Sequence, residues 1–221
     1  MPVLTPDNRV VAIDGPAGSG KSTVARAVAA RLGTAYLDTG AMYRAVAFVA
    51  MRSGVDPEDA ELVGRLAAGM TLEVSDRVVV NGVDATIEVR SPEVTRAVSV
   101  VAANPRVREE LVRRQREWAV EHSGGVVEGR DIGSVVFPGA AVKVYLTASD
   151  EERAVRRSQE MLEMHYDEVA ADIARRDHAD STRAHAPLTV AEDAVLVDTT
   201  SRSIDQVVQL VLELVAEAGL A

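Results

Sequence analysis

The chain has 221 residues, 47% hydrophobic and only 3% aromatic, and a formal net charge of −10. It can therefore bury a sizeable core of Val, Ala, Leu and Ile, as one large domain or a core with inserted lobes. The lack of cysteine excludes disulfides, thiolate zinc sites and cysteine nucleophiles; no apolar run reaches the roughly 18 residues of a membrane span; and the acidic balance argues against general binding to nucleic acid or acidic membrane.

The stretch Met1–Arg9 has no basic end followed by an apolar run, so no signal peptide is expected, and a cytoplasmic protein fits the absence of cysteine. The first strand is the β-branched run Val10–Asp14. It leads directly into Gly15-Pro16-Ala17-Gly18-Ser19-Gly20-Lys21-Ser22 and a helical stretch, Lys21–Leu32, that ends at Gly33. The eight residues form a complete phosphate-binding loop, G-x-x-x-x-G-K-[ST], set between strand and helix. There the backbone N–H groups and the helix dipole converge on an anion. Gly15, Gly18 and Gly20 let the backbone come close, Lys21 reaches the β- and γ-phosphates, and the Ser22 hydroxyl faces Mg²⁺. A nucleoside triphosphate is the expected ligand.

Further short apolar runs read as strands buried on both faces of a parallel sheet: Ala35–Leu37, Gly125–Glu128, Ala141–Thr147 and Ala194–Asp198. Helices are expected over Ala41–Arg52, Pro57–Ala68, Pro92–Ala102, Pro105–Val120, Asp150–Met164, Asp167–Asp177 and Ile204–Ala218. Asp56-Pro57, Ser91-Pro92 and Asn104-Pro105 each put a capping residue before a proline at the first helical position, and Ser149–Glu152 reads as a capping box. Thr71–Ile87 differs: Asn81-Gly82 between β-branched runs predicts an antiparallel hairpin. With its flanking helices it forms a lobe, about residues 41–120, between the second and third core strands. The expected organisation is a single domain over residues 1–221, with core 1–40 and 121–221.

Lys21 and Lys143 are the only lysines, and every other basic residue is arginine. A coding bias would produce this count, as would selection for bidentate phosphate contacts, so position must decide. Thr39-Gly40 opens a helix at the same sheet end as the phosphate loop, with Tyr43 and Arg44 on its first turn. They suit a second phosphorylated ligand, or an ordinary capped helix. Arg108 lies near a helix N-terminus, where a cation opposes the dipole unless an anion is near. For Arg113, Arg114 and Arg116 a solvated face is favoured. Arg130 and Asp131 directly follow the third strand, where ligands gather in open α/β sheets. Arg153, Arg156 and Arg157 share one helical face, as a lid that closes on the transferring phosphoryl group or as an ordinary charged helix. Arg175–Arg183 mixes basic and acidic groups as a second half-site would. The four histidines have no metal spacing and read as surface residues.

Taken together, these segments resemble the bacterial cytidylate kinases, of the nucleoside monophosphate kinase group. The matching text is Ile13–Ser22, Leu37–Arg44, Ile87–Arg90, Pro105–Arg108, Gln115-Arg116, Glu128–Gly133 through Val135–Pro138, Glu151–Ala154, and Arg183-Ala184 with Ala186–Leu188. It runs in order over nearly the whole chain, and Glu128–Gly133 is its most specific piece. The resemblance implies a P-loop NTPase-type α/β fold: a parallel sheet flanked by helices, an inserted acceptor-binding lobe with a small antiparallel sheet, and a helical lid at about 150–185. It implies transfer from ATP, with Mg²⁺, to CMP or dCMP, by a cytoplasmic monomer with no nucleic-acid or membrane partner.

It also implies residue roles. Gly15, Pro16, Ala17, Gly18, Ser19, Gly20, Lys21, Ser22 and Thr23 bind ATP, with Ser22 on the metal. Thr39, Tyr43, Arg44, Arg108, Arg130, Asp131, Asp180 and Arg183 bind the monophosphate. Of these, Arg44, Arg108 and Arg130 hold its phosphate, Asp131 and Asp180 contact the sugar, and Arg183 helps read the cytosine. Lys21, Arg130, Arg153, Arg156 and Arg157 serve catalysis. The family often has a basic residue where this chain has Ala179, so that contribution is lost or moves to Arg175 or Arg176. Thr39 stands where Ser is also common. A GTPase would carry D-x-x-G and N-K-x-D, and a transport ATPase L-S-G-G-Q; none occurs. A sugar or shikimate kinase fits the arginine-dense acceptor side less well.

Overall fold

The computed structural model describes residues 7–160, 165–183 and 188–220. The chain divides into two compact units, Met1–Tyr36 with Ala119–Ala221, and Leu37–Trp118.

The first unit is built on a sheet of five strands: β1 (Val10–Asp14), β2 (Tyr36–Asp38, where the boundary between the units falls), β6 (Gly125–Gly129), β7 (Val142–Thr147) and β8 (Val195–Asp198). Their order is β2-β6-β1-β7-β8. β1 pairs in parallel with β6 on one side and β7 on the other, and β7 with β8. Every residue of β1 and β6 is buried, which is why both read as uninterrupted apolar runs. Helices α1 (Lys21–Leu32) and α8 (Ile204–Glu217) contribute to one core with the sheet: Val24 and Val28 of α1 and Val208 and Val211 of α8 meet Val11, Ile13, Val126, Val144 and Leu146. Ser203 caps α8, accepting from Gln206 N at 3.2 Å while the Gln206 side chain reaches back to Ser203 N. The remaining helices of this unit are α6 (Asp150–Glu160) and α7 (Tyr166–Thr182).

The second unit holds α2 (Thr39–Arg52), α3 (Ala60–Gly69), α4 (Pro92–Ala103) and most of α5 (Pro105–Glu121), with an antiparallel sheet of β3 (Leu72–Val74), β4 (Val78–Val80) and β5 (Val83–Asp84). The hairpin at Asn81-Gly82 forms as expected, with φ of 50° and 73°, the left-handed pair that a tight turn between twisted strands requires.

Element boundaries depart from expectation where side-chain chemistry is decided at a distance. Pro57 does not start α3; Asp59 does, accepting from Leu62 N at 2.9 Å, while Asp56 caps only a local turn through Glu58 N. Helix α7 runs to Thr182 rather than Asp177. The expected continuation of α6 through Met164 falls partly outside the described residues, as do Ala184, His185, Ala186 and Pro187. Arg114 leaves the solvated face expected of it: its guanidinium donates to the Met70 and Ala67 carbonyls at 2.9 and 3.0 Å and so closes the end of α3. Arg113 keeps the exposed face with Glu110 and Glu117, and Arg116 is exposed.

Candidate active site

Between β1 and α1 the phosphate loop turns through left-handed glycines, Gly18 at φ +74° and Gly20 at φ +84°. A Cβ on Gly15 would lie 2.2 Å from the Leu146 carbonyl oxygen, and one on Gly18 2.6 Å from that of Arg153. Sequence reasoning asks for glycine so that a phosphate can approach; the structure adds that the end of β7 and helix α6 approach just as closely. Lys21 Nζ donates to the Pro16 carbonyl at 3.1 Å, so its ammonium lies back over its own loop. Thr23 is exposed on the first turn of α1. Ser22 Oγ donates to Glu128 Oε2 at 2.8 Å, and the Tyr36 hydroxyl donates to the other oxygen of the same buried carboxylate. The Arg26 guanidinium sits 5.3 Å from the centre of the Tyr36 ring. Ser22 and Glu128 are hard oxygen donors, and no cluster of three or more His, Cys, Asp or Glu exists among the described residues. That donor set fits a magnesium ion that keeps most of its waters, not one caged by protein. His122, His165 and His178 are exposed, as expected.

The arginines of α6 are engaged with the loop. Arg153 Nη1 donates to the Ala17 carbonyl at 3.0 Å and to Asp177, and Nη2 to Asp150 at 2.6 Å. Asp177 also accepts from Ala17 N at 3.3 Å, and Ala17, Ala154, Val169 and Ile173 form an apolar cluster beneath. Arg156 donates to the hydroxyl and carbonyl of Thr199, both at 2.8 Å. Arg157 is half-buried on the same helix.

Arg130, Asp131, Asp180 and Arg183, expected in one site, do come together. Arg130 Nε donates to Asp180 Oδ2 at 2.7 Å and its Nη1 to the carbonyl of Gly15, which ties the group to the phosphate loop. Arg183 Nη2 is 3.5 Å from Asp131 Oδ1, both side chains being buried. Burial works to raise the pKa of Asp180, but the charge and hydrogen bond of Arg130, with Arg176 and Arg183 nearby, hold it below the usual carboxylate value. Asp14, at the end of β1, accepts from Ile132 N and Gly133 N, each at 2.8 Å. Its pKa is raised to about 6 by burial, against which the Gly133 and Ile132 N–H groups work; Asp131 adds to the rise and Lys21 opposes it.

The second unit gathers the other expected residues. Asp38 caps α2 through Ala41 N at 2.9 Å and takes Arg90 Nη2 at 3.4 Å. Thr39 and Tyr43 are buried on the first turns of α2. Arg44 Nη1 lies 3.3 Å from where a Gly40 Cβ would stand. Arg108, buried in spite of its charge, donates to the Tyr43 hydroxyl at 3.4 Å and lies 6.0 Å from the ring centre.

The family model described as Cytidylate kinase matches residues 11–217. The chain is 49% identical over 213 residues to the cytidylate kinase of Mycobacterium leprae (strain Br4923), covering 94% of this chain and 96% of that relative. It is 50% identical over 216 residues to the cytidylate kinase of Shouchella clausii (strain KSM-K16), covering 94% and 96%. The chain belongs to the cytidylate kinase family. The cytidylate kinase match takes in every residue group above, in both units.

The two arginines before Ala179 lie in different surroundings. Arg175 is exposed and pairs with Asp172 at 2.5 Å; Arg176 is buried beside Asp180. The spacing Arg176–Asp180, one turn apart on a helix, was the available signal. Asp177 and Asp14 carried none, because their partners are brought in from other segments: the Arg153 guanidinium and the Ala17 N–H for Asp177, and the Ile132 and Gly133 N–H groups for Asp14.

Proposed function

We infer that this chain is a phosphotransferase that moves the γ-phosphoryl group of ATP onto the phosphate of CMP or dCMP, giving ADP and CDP or dCDP. The observation that carries the reading is a complete phosphate loop joined, through the Arg130–Gly15 hydrogen bond, to a buried arginine–aspartate cluster, in a chain of the cytidylate kinase family.

Gly15 through Thr23 are proposed to bind ATP. Lys21 neutralises its terminal phosphates, as do Arg153, Arg156 and Arg157 by closing over the transferring group. Arg130, with Arg44 and Arg108, holds the acceptor phosphate; Thr39 and Tyr43 bind the same nucleotide; Asp131 and Asp180 accept from its sugar; and Arg183 contacts its base. The reaction needs in-line placement of two anions and neutralisation of their charge, and no strong general base, because the attacking atom is already a phosphate oxygen. Ser22, hydrogen-bonded to Glu128, would hold a magnesium ion, which would supply charge neutralisation when bound. A cytoplasmic monomer completes the reading; no described helix is long and apolar enough to cross a membrane.

A coupled ADP-release assay with CMP, dCMP, UMP, AMP and dTMP in parallel tests this. CMP and dCMP give the fastest turnover; equal rates for AMP and CMP would remove the cytidylate assignment.

A further inference from the structure

The segment after β6 carries Arg130 and Asp131 and then winds into one π-helical turn, Ile132–Val136, with Asp131 as its first flanking residue. A flanking Asp ordinarily turns its carboxylate onto the free N–H groups of the turn it begins. Asp131 does not: its side chain makes no such bond, and its carboxylate faces Arg183 instead. Two of the N–H groups that open the turn, those of Ile132 and Gly133, are bound by Asp14, one to each oxygen at 2.8 Å, and that of Gly133 is one a flanking side chain would take. Asp14 is nine-tenths buried or more, and its position at the end of β1 is fixed by parallel pairing with both β6 and β7. Gly133 is also the place where the stem of Lys143 comes within 3.1 Å of a would-be Cβ, so the turn has little room to shift.

We propose that Asp14 is a positioning residue for the acceptor nucleotide: by capping the Ile132–Val136 turn from the neighbouring strand, it leaves the Asp131 carboxylate to the ligand side and sets the angle at which Arg130 leaves β6. This rests on the reading that Arg130 and Asp131 bind the monophosphate. Asp14 touches no ligand in this scheme. Its two oxygens must both accept, which only a carboxylate can do. An amide at this position would turn an NH₂ group toward one of the two N–H groups, and Asp131 would become the better cap and swing away from Arg183.

The test is steady-state kinetics and CMP calorimetry on Asp14→Asn and Asp14→Ser, with thermal melting to establish that each folds. Loss of one hydrogen bond to a charged acceptor predicts a KM and dissociation constant for CMP raised about tenfold or more in either variant, with the KM for ATP within about threefold of wild type. A folded variant with unchanged CMP affinity, or with equal losses for CMP and ATP, overturns the proposal while leaving the cytidylate reading intact if wild type turns over CMP. Loss of fold in both variants also overturns it, since Asp14 would then serve the fold alone. A wild-type protein inert toward CMP removes the reading and the proposal together.

Discussion

Arg130 is the side chain on which the proposed chemistry turns. It is mostly buried, and its guanidinium spans Asp180 and the Gly15 carbonyl. Those contacts give a preorganised fork beside the phosphate loop, of the kind that stabilises charge only as it develops. Arg130→Ala is expected to cut kcat/KM for CMP by roughly a hundredfold or more, with the circular dichroism spectrum unchanged; near-normal turnover would reject the assignment. Asp14 offers a second test at this scale. Its pKa is about 6 in the folded chain against an ordinary 3.8. Between those values the folded state keeps a proton that the unfolded state has released, so raising pH across this window removes stability, and the loss is complete above it. Urea denaturation at a series of pH values should therefore show the stability of Asp14→Asn gaining on wild type from about pH 4 to 6 and holding a constant offset above. A pH-independent difference would contradict the burial argument.

At the scale of elements, much of the fold was legible because its signals are local. The phosphate loop, the Asn81-Gly82 hairpin and the Ser91-Pro92 start of α4 each carry their own chemistry in a few residues. The buried face of helix α7 changes character along its length, from Val169 and Ile173 to Arg176 and Asp180, so apolar periodicity stops before the helix does. The π-helical turn was invisible because its cap comes from a strand more than a hundred residues away in sequence, at a separation of 118 for Ile132. Among the site residues, Arg108 stands out in the sequence by its place near a helix N-terminus, and in the fold it is buried against Tyr43. Arg153 and Arg156 share a face, as read, yet they also fasten α6 to the loop and to Thr199. The contact is tightest at Gly18. A methyl group there would meet the Arg153 carbonyl and take a left-handed φ, at a cost of about 1–2 kcal/mol for the backbone alone. Gly18→Ala is expected to weaken ATP binding at least about tenfold, measured by nucleotide titration; unaltered affinity would show that α6 yields freely.

For the whole molecule, the distribution of charge is more telling than its sum. A chain with net charge −10 nevertheless buries Arg108, Arg153 and Arg176. Buried guanidinium groups are costly unless an anion answers them. Asp177 and Asp150 answer Arg153, and Asp180 answers Arg176. Because Arg130 reaches the Gly15 carbonyl, the Arg130–Asp180 pair and the phosphate loop share one wall, as the proposed transfer between two phosphates requires. The direct measurement is a single-turnover reaction with ATP labelled at the γ-phosphate and CMP in excess, with products separated by ion exchange. The account predicts that the label appears in CDP as fast as ADP forms. Label released as inorganic phosphate at the same rate with or without CMP would contradict it.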